Sequence, residues 1–340
     1  MCTRTLYVGD DNTVITGRNM DWKEDMLSNL WLLPAGVARD GAAGPNSVRW
    51  TSRYGSVVVT GYEAGVTDGM NEKGLVANIL YLAESDYGRP GTDGPFLSIA
   101  QWALYVLDNF ATVSEAVDAL SAKPFTILAP TLPNGSEASL HLSLSDAGGD
   151  SAIFEFIDGE LTIHHGRDYR VMTNSPPYDQ QLALNAYWKN IGGLTFLPGT
   201  NNAADRFARA SFLLDAIPKA LDKAYIAGVP GHSYAHQAVA CVLSLQRAVS
   251  VPLGITTPEH PNISSTIWRT VSDQTNRVYY FDSATRPNAF WLDLSKVDLS
   301  PGTPVRKLTI AHGEVFAGEI SAAMQPVAPF TALPATPPAG

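Results

Sequence analysis

The sequence predicts an α+β fold in which antiparallel sheets are covered by helices. Blocks with strand character and blocks with helical periodicity follow one another in the order strands, helices, strands, helices, strands. A doubly wound parallel sheet would instead need a regular alternation of single strands and helices, which this order does not provide. The chain has 340 residues, of which 45% are hydrophobic, so it can bury a sizeable core.

The domain organisation is predicted from where proline accumulates. No linker rich in proline or serine divides the middle of the chain, so we expect a single domain over 1–324. Residues 325–340 contain five prolines among sixteen residues and are expected to form an extended or disordered tail.

The first part of the chain is rich in strand and turn signals. Segments 4–8 and 13–16 flank a loop of turn-forming residues and predict a hairpin. The β-branched run at 56–60 and the apolar run at 75–81 predict two more strands. Between those two strands, 68–74 is predicted to be a turn.

Helical periodicity is predicted to begin near Leu97 and to continue through 110. A second helix should begin after Thr112, because Thr112 and Glu115 form a capping-box pattern ahead of apolar residues at helical spacing. A further helical block covers about 204–248 and is interrupted by glycine and proline at 228–231. The remaining strands are predicted at 140–144, 152–156, 263–281 and 289–294.

Composition excludes several classes of function. Lys and Arg total 23 and Asp and Glu total 33, which gives a net charge of 23 − 33 = −10. Basic residues form no long run, so we expect no nucleic-acid partner. No apolar stretch approaches the ~18 residues of a membrane span, and no membrane partner is expected. The two cysteines are too few for a disulfide framework, and the chain has no P-loop or dinucleotide-binding motif.

The N-terminal segment lacks a charged region followed by an apolar one, the pattern of a secretory signal. We therefore expect a cytoplasmic protein as the sequence stands, or a periplasmic one if a leader preceded Met1.

Cys2 is the strongest candidate for catalysis. Initiator methionine is normally trimmed when the next side chain is small, so Cys2 is expected to become the first residue of the mature chain. An α-amine titrates near ~7.7–8.0, so part of it is unprotonated at neutral pH. One residue then supplies a thiol nucleophile and an adjacent general base. On position alone, a cysteine without any role is the alternative.

Arg18 and Asp21 follow the second strand of the predicted hairpin. A guanidinium near the sulfur of Cys2 would favour the thiolate, and a carboxylate would hold and orient the α-amine. An ordinary surface ion pair, which contributes little to stability, is the alternative interpretation.

Weaker motifs indicate other chemistry. Ser233 lies in a segment that nearly fits the nucleophile elbow of serine hydrolases, but a Val-Pro pair precedes it and Ala235 replaces the last glycine. His232 and His236 are spaced to share a metal, yet no carboxylate motif accompanies them, so we expect a solvated or capping pair. Cys241 lies in an apolar helical stretch and is predicted to be a buried small hydrophobe.

Six short motifs occur in order along the chain and end before about residue 282. They are Cys2, RNMD at 18–21, DGMNEKGL at 68–75, TNSP at 173–176, DRF at 205–207 and STIWRTV at 265–271. Together they resemble the choloylglycine hydrolase family, which groups bile salt hydrolases with penicillin V acylases. Each motif alone is weak, but chance does not explain six of them in the right order.

The resemblance implies the four-layer αββα sandwich of N-terminal nucleophile hydrolases, and hydrolysis of a linear amide through a thioester acyl-enzyme. It implies that Cys2 is nucleophile and base, that Asp21 positions the amine and that Arg18 tunes the thiol. Asn174 matches the side-chain donor to the tetrahedral oxyanion, and Arg206 matches the remaining charged residue of the site. No metal and no organic cofactor is implied, because side chains and backbone supply every reacting group.

Tyr81 is a further candidate catalytic residue, and its identity also indicates which substrate binds. Bile salt hydrolases have asparagine where 80–82 aligns, whereas tyrosine there resembles the penicillin V acylases. An aromatic ring offers an apolar wall suited to a phenoxyacetyl or fatty acyl group. Met20 and Trp22 are expected to bind substrate too, and Trp22 resembles a second aromatic of the acyl pocket in the Gram-negative branch. A core tryptophan is the alternative for Trp22.

The implied substrate is a small N-acyl amide, with penicillin V ahead of N-acyl homoserine lactones and conjugated bile salts. Two interpretations of another kind stay open, namely a serine hydrolase that uses Ser233 and a non-catalytic protein that binds acylated ligands. A homotetramer is also implied. The chain between 176 and 205, however, is shorter than in the bile salt hydrolases, which use an extended loop there to pack their tetramer.

Overall fold

The computed structural model describes residues 1–91, 94–255 and 264–336. Within these ranges two β-sheets face each other and helices cover the outer face of each sheet. The α+β class is therefore confirmed, and so is the four-layer αββα sandwich that the family resemblance implied.

Sheet 1 contains seven strands in the described part of the chain. In their order across the sheet they are β14 (Val171–Met172), β1 (Cys2–Val8), β2 (Val14–Trp22), β15 (Ser265–Asp273), β16 (Val278–Ser283), β17 (Ala289–Asp293) and β19 (Gly318–Glu319). Neighbouring strands are antiparallel except β17 and β19, which are parallel.

Sheet 2 contains nine strands among the described residues. In their order they are β13 (Glu160–His165), β12 (Ser151–Ile157), β11 (Leu140–Ser145), β8 (Val76–Tyr81), β7 (Gly65–Asn71), β6 (Ser56–Gly61), β3 (Leu30–Leu33), β18 (Arg306–Leu308) and β20 (Gln325–Pro326). Two short pairs lie outside both sheets, β4 (Ala38–Asp40) with β5 (Arg49–Thr51) and β9 (Phe96–Ser98) with β10 (Thr126–Leu128).

Helices α1 (Trp102–Asn109) and α2 (Val113–Ser121) pack on sheet 2. Helices α4 (Ala203–Ala216) and α5 (Tyr234–Ala248) pack on sheet 1, and α3 (Tyr178–Ile191) packs beside α4. Short 3-10 helices lie at Ile99–Gln101, Ile226–Gly228, Pro230–His232, Leu294–Lys296 and Ser321–Ala323. None of the helices in the described ranges combines the length and the apolar character needed to cross a membrane.

Strand β2 lies near the middle of sheet 1, between sheet 2 and helix α5. At Gly17 a Cβ atom would lie 2.6 Å from Gln246 Nε2 and 2.7 Å from Val242 Cγ1. Only glycine therefore lets α5 approach β2 so closely. This packing fixes the strand that contains Arg18 and Asp21.

Two local predictions are confirmed by the structure. Strands β1 and β2 form the expected hairpin, with Cys2 paired to Met20 and Val8 to Val14. Helix α2 begins after Thr112, whose hydroxyl accepts a hydrogen bond from the backbone N–H of Glu115 at 3.2 Å.

Two predicted boundaries in the first third of the chain are wrong. The segment 68–74 is not wholly a turn, because Asp68 to Asn71 complete strand β7 and pair with β6 and β8. The helix predicted from Leu97 begins only at Trp102. Residues 96–98 extend instead as β9 and pair with β10, a contact that local periodicity does not encode.

Later boundaries need correction as well. The helical block 204–248 is interrupted over 217–233 rather than at 228–231, and helix α3 was not predicted. The strand predicted at 263–281 is two strands, β15 and β16, with a turn at 274–277, and residue 263 lies outside the described ranges.

The described part of the proline-rich segment, 325–336, is extended and lies along the domain surface. Val327 N–H donates to Val305 O at 3.0 Å, and the Phe330 ring packs edge-on against Trp31 at 5.2 Å. Beyond Phe330, backbone atoms of Leu333 and Ala335 form further hydrogen bonds.

Candidate active site

The β1–β2 hairpin brings the start of the chain back to residues 18–22. Antiparallel pairing across a short loop places the first residue of one strand opposite the last residues of the other. Cys2 accordingly pairs with Met20, while Asp21 pairs on its other side with Thr266 of β15. On the opposite edge of β1, strand β14 leads directly into Asn174.

The Cys2 thiol is buried and contacts polarisable and polar groups. Its Sγ lies 3.7 Å from Arg18 Nη2, 3.8 Å from Met20 Sδ and 4.0 Å from the Asp21 carbonyl oxygen. The residue is only 2% exposed. A thiol beside a guanidinium is an environment that suits a nucleophilic sulfur.

The backbone of Cys2 is held by two polar side chains. Its N–H donates to Asn174 Oδ1 at 2.7 Å, and its carbonyl oxygen accepts from Arg206 Nη1 at 2.5 Å. Arg206 Nη2 also donates to Asn174 Oδ1 at 2.7 Å, while Asn174 Nδ2 donates to the Tyr81 carbonyl oxygen at 2.6 Å. The first residue of the hairpin is therefore fixed by α4 and by the ends of β14 and β8.

Asp21 and Arg206 are both fully buried and lie close together. Asp21 Oδ2 is 3.6 Å from Arg206 Nη1, and Asp21 Oδ1 accepts from Thr266 Oγ1 at 2.5 Å. The Met1 α-amine donates to the Asp21 carbonyl oxygen at 2.9 Å. Burial lowers the pKa of this α-amine and raises the pKa of Asp21, and in Asp21 the neighbouring Arg206 opposes that rise.

Arg18 lies beside Asp68, a second buried acid, which the sequence analysis did not identify as a site residue. Its Nη1 lies 4.0 Å from Asp68 Oδ2, its Nη2 donates to the Ile79 carbonyl oxygen at 2.9 Å, and its guanidinium lies 4.6 Å from the Trp268 ring centroid. Burial raises the pKa of Asp68, against the opposing effect of Arg18.

Asp68 is itself held by three side chains. Asn78 Nδ2 donates to Asp68 Oδ2 at 2.6 Å, Thr270 Oγ1 donates to the same oxygen at 3.1 Å, and the Tyr279 hydroxyl donates to Oδ1. Asp68 and Thr266 were missed as site residues, although both lie within the family-like motifs at 68–75 and 265–271. Their positions inside these motifs could have identified them as site residues.

An apolar cleft opens from the thiol. Cys2, Met20, Trp22 and Tyr81 line it together with Arg18. The rest of its wall is mostly apolar and consists of Met26, Gly61, Tyr62, Ala64, Gly65, Val66, Thr67, Ile79, Ile99, Ala100, Pro130, Leu132, Ala138, Leu140 and Leu333. A ligand group bound here would be mainly hydrophobic.

The aromatic residues predicted to bind substrate lie together in this wall. The rings of Trp22 and Tyr81 are 6.2 Å apart and tilted by 58°. Trp22 Nε1 donates to the Tyr62 hydroxyl at 2.8 Å. Trp22 is partly exposed to the cleft, and the structure therefore does not support a purely core role for it.

The competing motifs lie apart from this cluster. Ser233 caps helix α5: its Oγ accepts from the His236 backbone N–H at 3.2 Å and lies 2.7 Å from His236 Nδ1. His232 Nδ1 contacts a backbone carbonyl at 3.0 Å. Cys241 is only half-buried in α5. No group of three or more metal-ligating side chains occurs in the described ranges.

Comparisons with known proteins identify the family of the chain. A family model described as linear amide C-N hydrolases, choloylglycine hydrolase family, matches residues 2–307. The penicillin V acylase of Pectobacterium atrosepticum is 47% identical, over 97% of this chain and 91% of that protein. A bile salt hydrolase/transferase of Clostridium perfringens is 28% identical, over 64% of this chain and 73% of that protein.

Solved structures show the same fold. The penicillin V acylase of Agrobacterium tumefaciens superposes with a TM-score of 0.89 at 53% identity, covering 98% of this chain and 100% of that one. A conjugated bile acid hydrolase of Clostridium perfringens superposes with a TM-score of 0.73 at 21% identity, covering 94% and 98%.

Facing sheets between helical layers, with a cysteine at the start of strand β1, are typical of the N-terminal nucleophile hydrolase fold. Within that class, the chain belongs to the choloylglycine hydrolase family and is a linear amide C-N hydrolase. Its relatives place it with the penicillin V acylases of Gram-negative bacteria.

Proposed function

We propose that this hydrolase releases the acyl group of N-acyl amides as a penicillin V acylase does, with Cys2 as nucleophile. The single observation on which the proposal depends is that the Cys2 thiol lines an apolar cleft while the nitrogen of the same residue is held by Asn174. The two relatives named penicillin V acylase, at 47% and 53% identity, support the phenoxyacetyl group as an acyl part.

The proposed reaction begins when removal of Met1 frees the Cys2 α-amine. The neutral amine takes the thiol proton, and the thiolate attacks the amide carbonyl carbon. The tetrahedral intermediate collapses, the C–N bond breaks, and the leaving amine receives the proton from the Cys2 ammonium. Water then attacks the thioester, giving its proton to the Cys2 amine, and the acid leaves as the thiol is restored.

The surroundings of the α-amine support its role as the base. Burial lowers the pKa of the Met1 α-amine, and we expect the same surroundings to act on the amine of Cys2. A lowered pKa increases the neutral fraction at pH 7. Asn174 Oδ1 accepts from the Cys2 nitrogen at 2.7 Å, and Asp21, whose carbonyl oxygen accepts from the Met1 amine, would help to orient the Cys2 amine once Met1 is removed.

The remaining residues have proposed roles that follow from their contacts. Asn174 would donate one N–H to the oxyanion, and Tyr81 would hold that amide through its carbonyl oxygen. Arg206 would fix Cys2 and Asn174 relative to each other. Arg18 would stabilise the thiolate, while Met20, Trp22 and Tyr81 would contact the acyl group.

A fatty acyl group is the second candidate for the acyl part, as in an N-acyl homoserine lactone. The mostly apolar lining of the cleft beyond the thiol favours it. A conjugated bile salt, whose steroid needs a wider site, is the third candidate.

The test measures hydrolysis of phenoxyacetyl, fatty acyl-lactone and glycine-conjugated cholyl amides, together with the intact mass of the enzyme. We expect the mass to correspond to loss of Met1, the phenoxyacetyl amide to be the best substrate, and Cys2→Ala to abolish turnover. Cys241→Ala is the matched control, since it removes the other free thiol in the described ranges, and it should keep full activity.

Three outcomes would contradict this proposal. One is an active enzyme that still has Met1, and another is a Cys2→Ala variant as active as the parent. If Cys2→Ala is as active as the parent, loss of activity in Ser233→Ala would favour the serine hydrolase. A parent without turnover on any amide would favour a non-catalytic binder of acylated ligands.

We also propose that the chain forms a homo-oligomer, with the tetramer of the family resemblance as the expected state. An exposed apolar surface, here called the α3 patch, supports this. It consists of Leu184, Tyr187, Trp188, Leu194 and Phe196, in α3 and the segment after it. Large exposed apolar surfaces of this kind are typical of contacts between chains.

A further inference from the structure

One wall residue of the acyl cleft comes from near the C-terminal end of the described chain. Leu333 lines the cleft, and its backbone is fastened on both sides. Leu333 N–H donates to the Ala64 carbonyl oxygen at 2.7 Å, and Ser98 Oγ donates to the Leu333 carbonyl oxygen at 2.9 Å. Ala335 N–H, two residues on, donates to the Ala42 carbonyl oxygen at 2.8 Å.

Leu333 is bonded to the part of the cleft wall that the β6–β7 turn forms. Tyr81, next to the catalytic cluster, ends strand β8, whereas Ala64 lies in the turn between β6 and β7. Adjacent strands are spaced by about 4.8 Å, so this turn lies roughly 5–10 Å across the sheet from β8. An acyl chain that starts at Cys2 and crosses β7 therefore ends against Leu333.

We propose that Leu333 forms the end wall of the acyl cleft and limits the length of the acyl group. The inference rests on the proposed function, because it assumes that the acyl part occupies this cleft. Leu333 lies beyond residues 2–307, the part that the family model matches. The length limit is thus set by a segment outside the range that the family model matches.

The chain around Leu333 should keep its path when the side chain is changed. Both hydrogen bonds at this residue involve backbone atoms, so Leu333→Ala retains them. Phe330 packed on Trp31 and the bond of Ala335 hold the segment on either side. A shorter side chain then lengthens the cleft, and a longer one shortens it.

The experiment measures kcat/KM for butanoyl, hexanoyl, octanoyl, decanoyl and dodecanoyl amides of one amine, with the full chain. For Leu333→Ala we expect the optimum to move to longer acyl groups, with a gain of about fourfold for each newly buried methylene. For Leu333→Trp we expect the dodecanoyl-to-butanoyl ratio of kcat/KM to fall at least about tenfold. Ratios between substrates do not depend on the fraction of enzyme that folds.

Pro334→Ala is the matched control, because Pro334 is the exposed neighbour and does not line the cleft. It should leave the chain-length profile of the parent unchanged. Equal profiles in the parent, Leu333→Ala and Leu333→Trp overturn the inference and leave the proposed function standing, since the parent still cleaves amides. An equal shift in Pro334→Ala overturns it too. A parent that cleaves the phenoxyacetyl amide but no member of this series overturns the inference alone, whereas a parent inactive on both refutes the proposed function as well.

Discussion

The two ends of the Asn174 side-chain amide have different partners. Its oxygen accepts from the Cys2 backbone and from Arg206, and its nitrogen donates to the Tyr81 carbonyl oxygen. Two donors fix the oxygen, so a flipped amide would place N–H groups against N–H groups. An amide nitrogen has two hydrogens, and one remains after the bond to Tyr81. That hydrogen is the one we assign to the oxyanion.

Substitution of Asn174 should separate its donor from its acceptor function. We expect Asn174→Ala to lower kcat about 10²–10³-fold with little change in KM, because the donor acts in the transition state. Asn174→Asp keeps an acceptor for Cys2 and Arg206 but has no N–H, and should lose a similar factor. Steady-state kinetics on the phenoxyacetyl amide measures both. An effect confined to KM, or an Asp variant with full kcat, would contradict the role.

A buried histidine and glutamate join the two sheets beside Asn174. His141 Nδ1, in β11, lies 2.8 Å from Glu155 Oε1, in β12, and His141 Nε2 lies 3.1 Å from the Thr173 carbonyl oxygen. A carbonyl oxygen only accepts, so Nε2 donates. Glu155 Oε2 in turn accepts from the Tyr178 N–H at 2.9 Å. Both ends of the segment that contains Asn174 are therefore tied to sheet 2.

We predict that His141 is a positioning residue for Asn174. His141→Leu leaves Thr173 O without its side-chain donor in a buried place and should cost about 1–3 kcal/mol of unfolding free energy. It should also lower kcat with KM nearly unchanged. His141→Gln can still donate to Thr173 O and should recover most of kcat. Thermal unfolding and kinetics are measured together. A loss of stability without any loss of kcat in the folded enzyme would point to a merely structural role.

The sequence predicted those elements whose signals are local. The β1–β2 hairpin and the Thr112 cap depend on residues close in the chain, and both were found. The strand at Asp68 was mistaken for a turn, because its glycine and polar residues are buried by pairing with β6 and β8. Helix α3 was missed because its buried face consists of Tyr178, Gln181 and Asn185, which give no apolar periodicity.

The sequence predicted the candidate site only in part, because some of its contacts are not local. Cys2 and its hairpin partners could be connected through strand geometry, and Asn174 and Arg206 through the family motifs. The bond from His141 to Thr173 and the wall residue Leu333 join segments far apart in sequence. Nothing in the local pattern around either residue indicates these contacts, because each depends on how distant segments pack in the folded chain.

At the scale of the whole molecule, every proposed reacting group comes from one chain. Sheet 1 supplies Cys2, Arg18 and Asp21, sheet 2 supplies Tyr81, and α4 supplies Arg206. The site lies where the two sheets meet, beneath the layer of helices on sheet 1. The α3 patch lies in α3 and the segment after it, and it contributes no residue to the cleft. Assembly and catalysis should therefore be separable.

We predict that Leu194→Asp dissociates the oligomer and leaves the enzyme active. Leu194 is 96% exposed, so its replacement should not disturb the fold. In an oligomer its burial would contribute about 1.5–3 kcal/mol, and a carboxylate in its place would have to lose water without a partner. Sedimentation velocity should show a multiple of the chain mass for the parent and a smaller species for the variant. Val315→Asp, at a 60% exposed site outside the patch, should assemble as the parent does.

Activity decides whether the separation of assembly from catalysis is correct. The dissociated Leu194→Asp enzyme should keep the kcat/KM of the parent on the phenoxyacetyl amide, because the α3 patch contributes no residue to the cleft. A parent that sediments as a single chain refutes the oligomer. A variant that dissociates and loses activity would mean instead that a neighbouring chain shapes the cleft, and the proposed walls around Trp22 and Leu333 would then be incomplete.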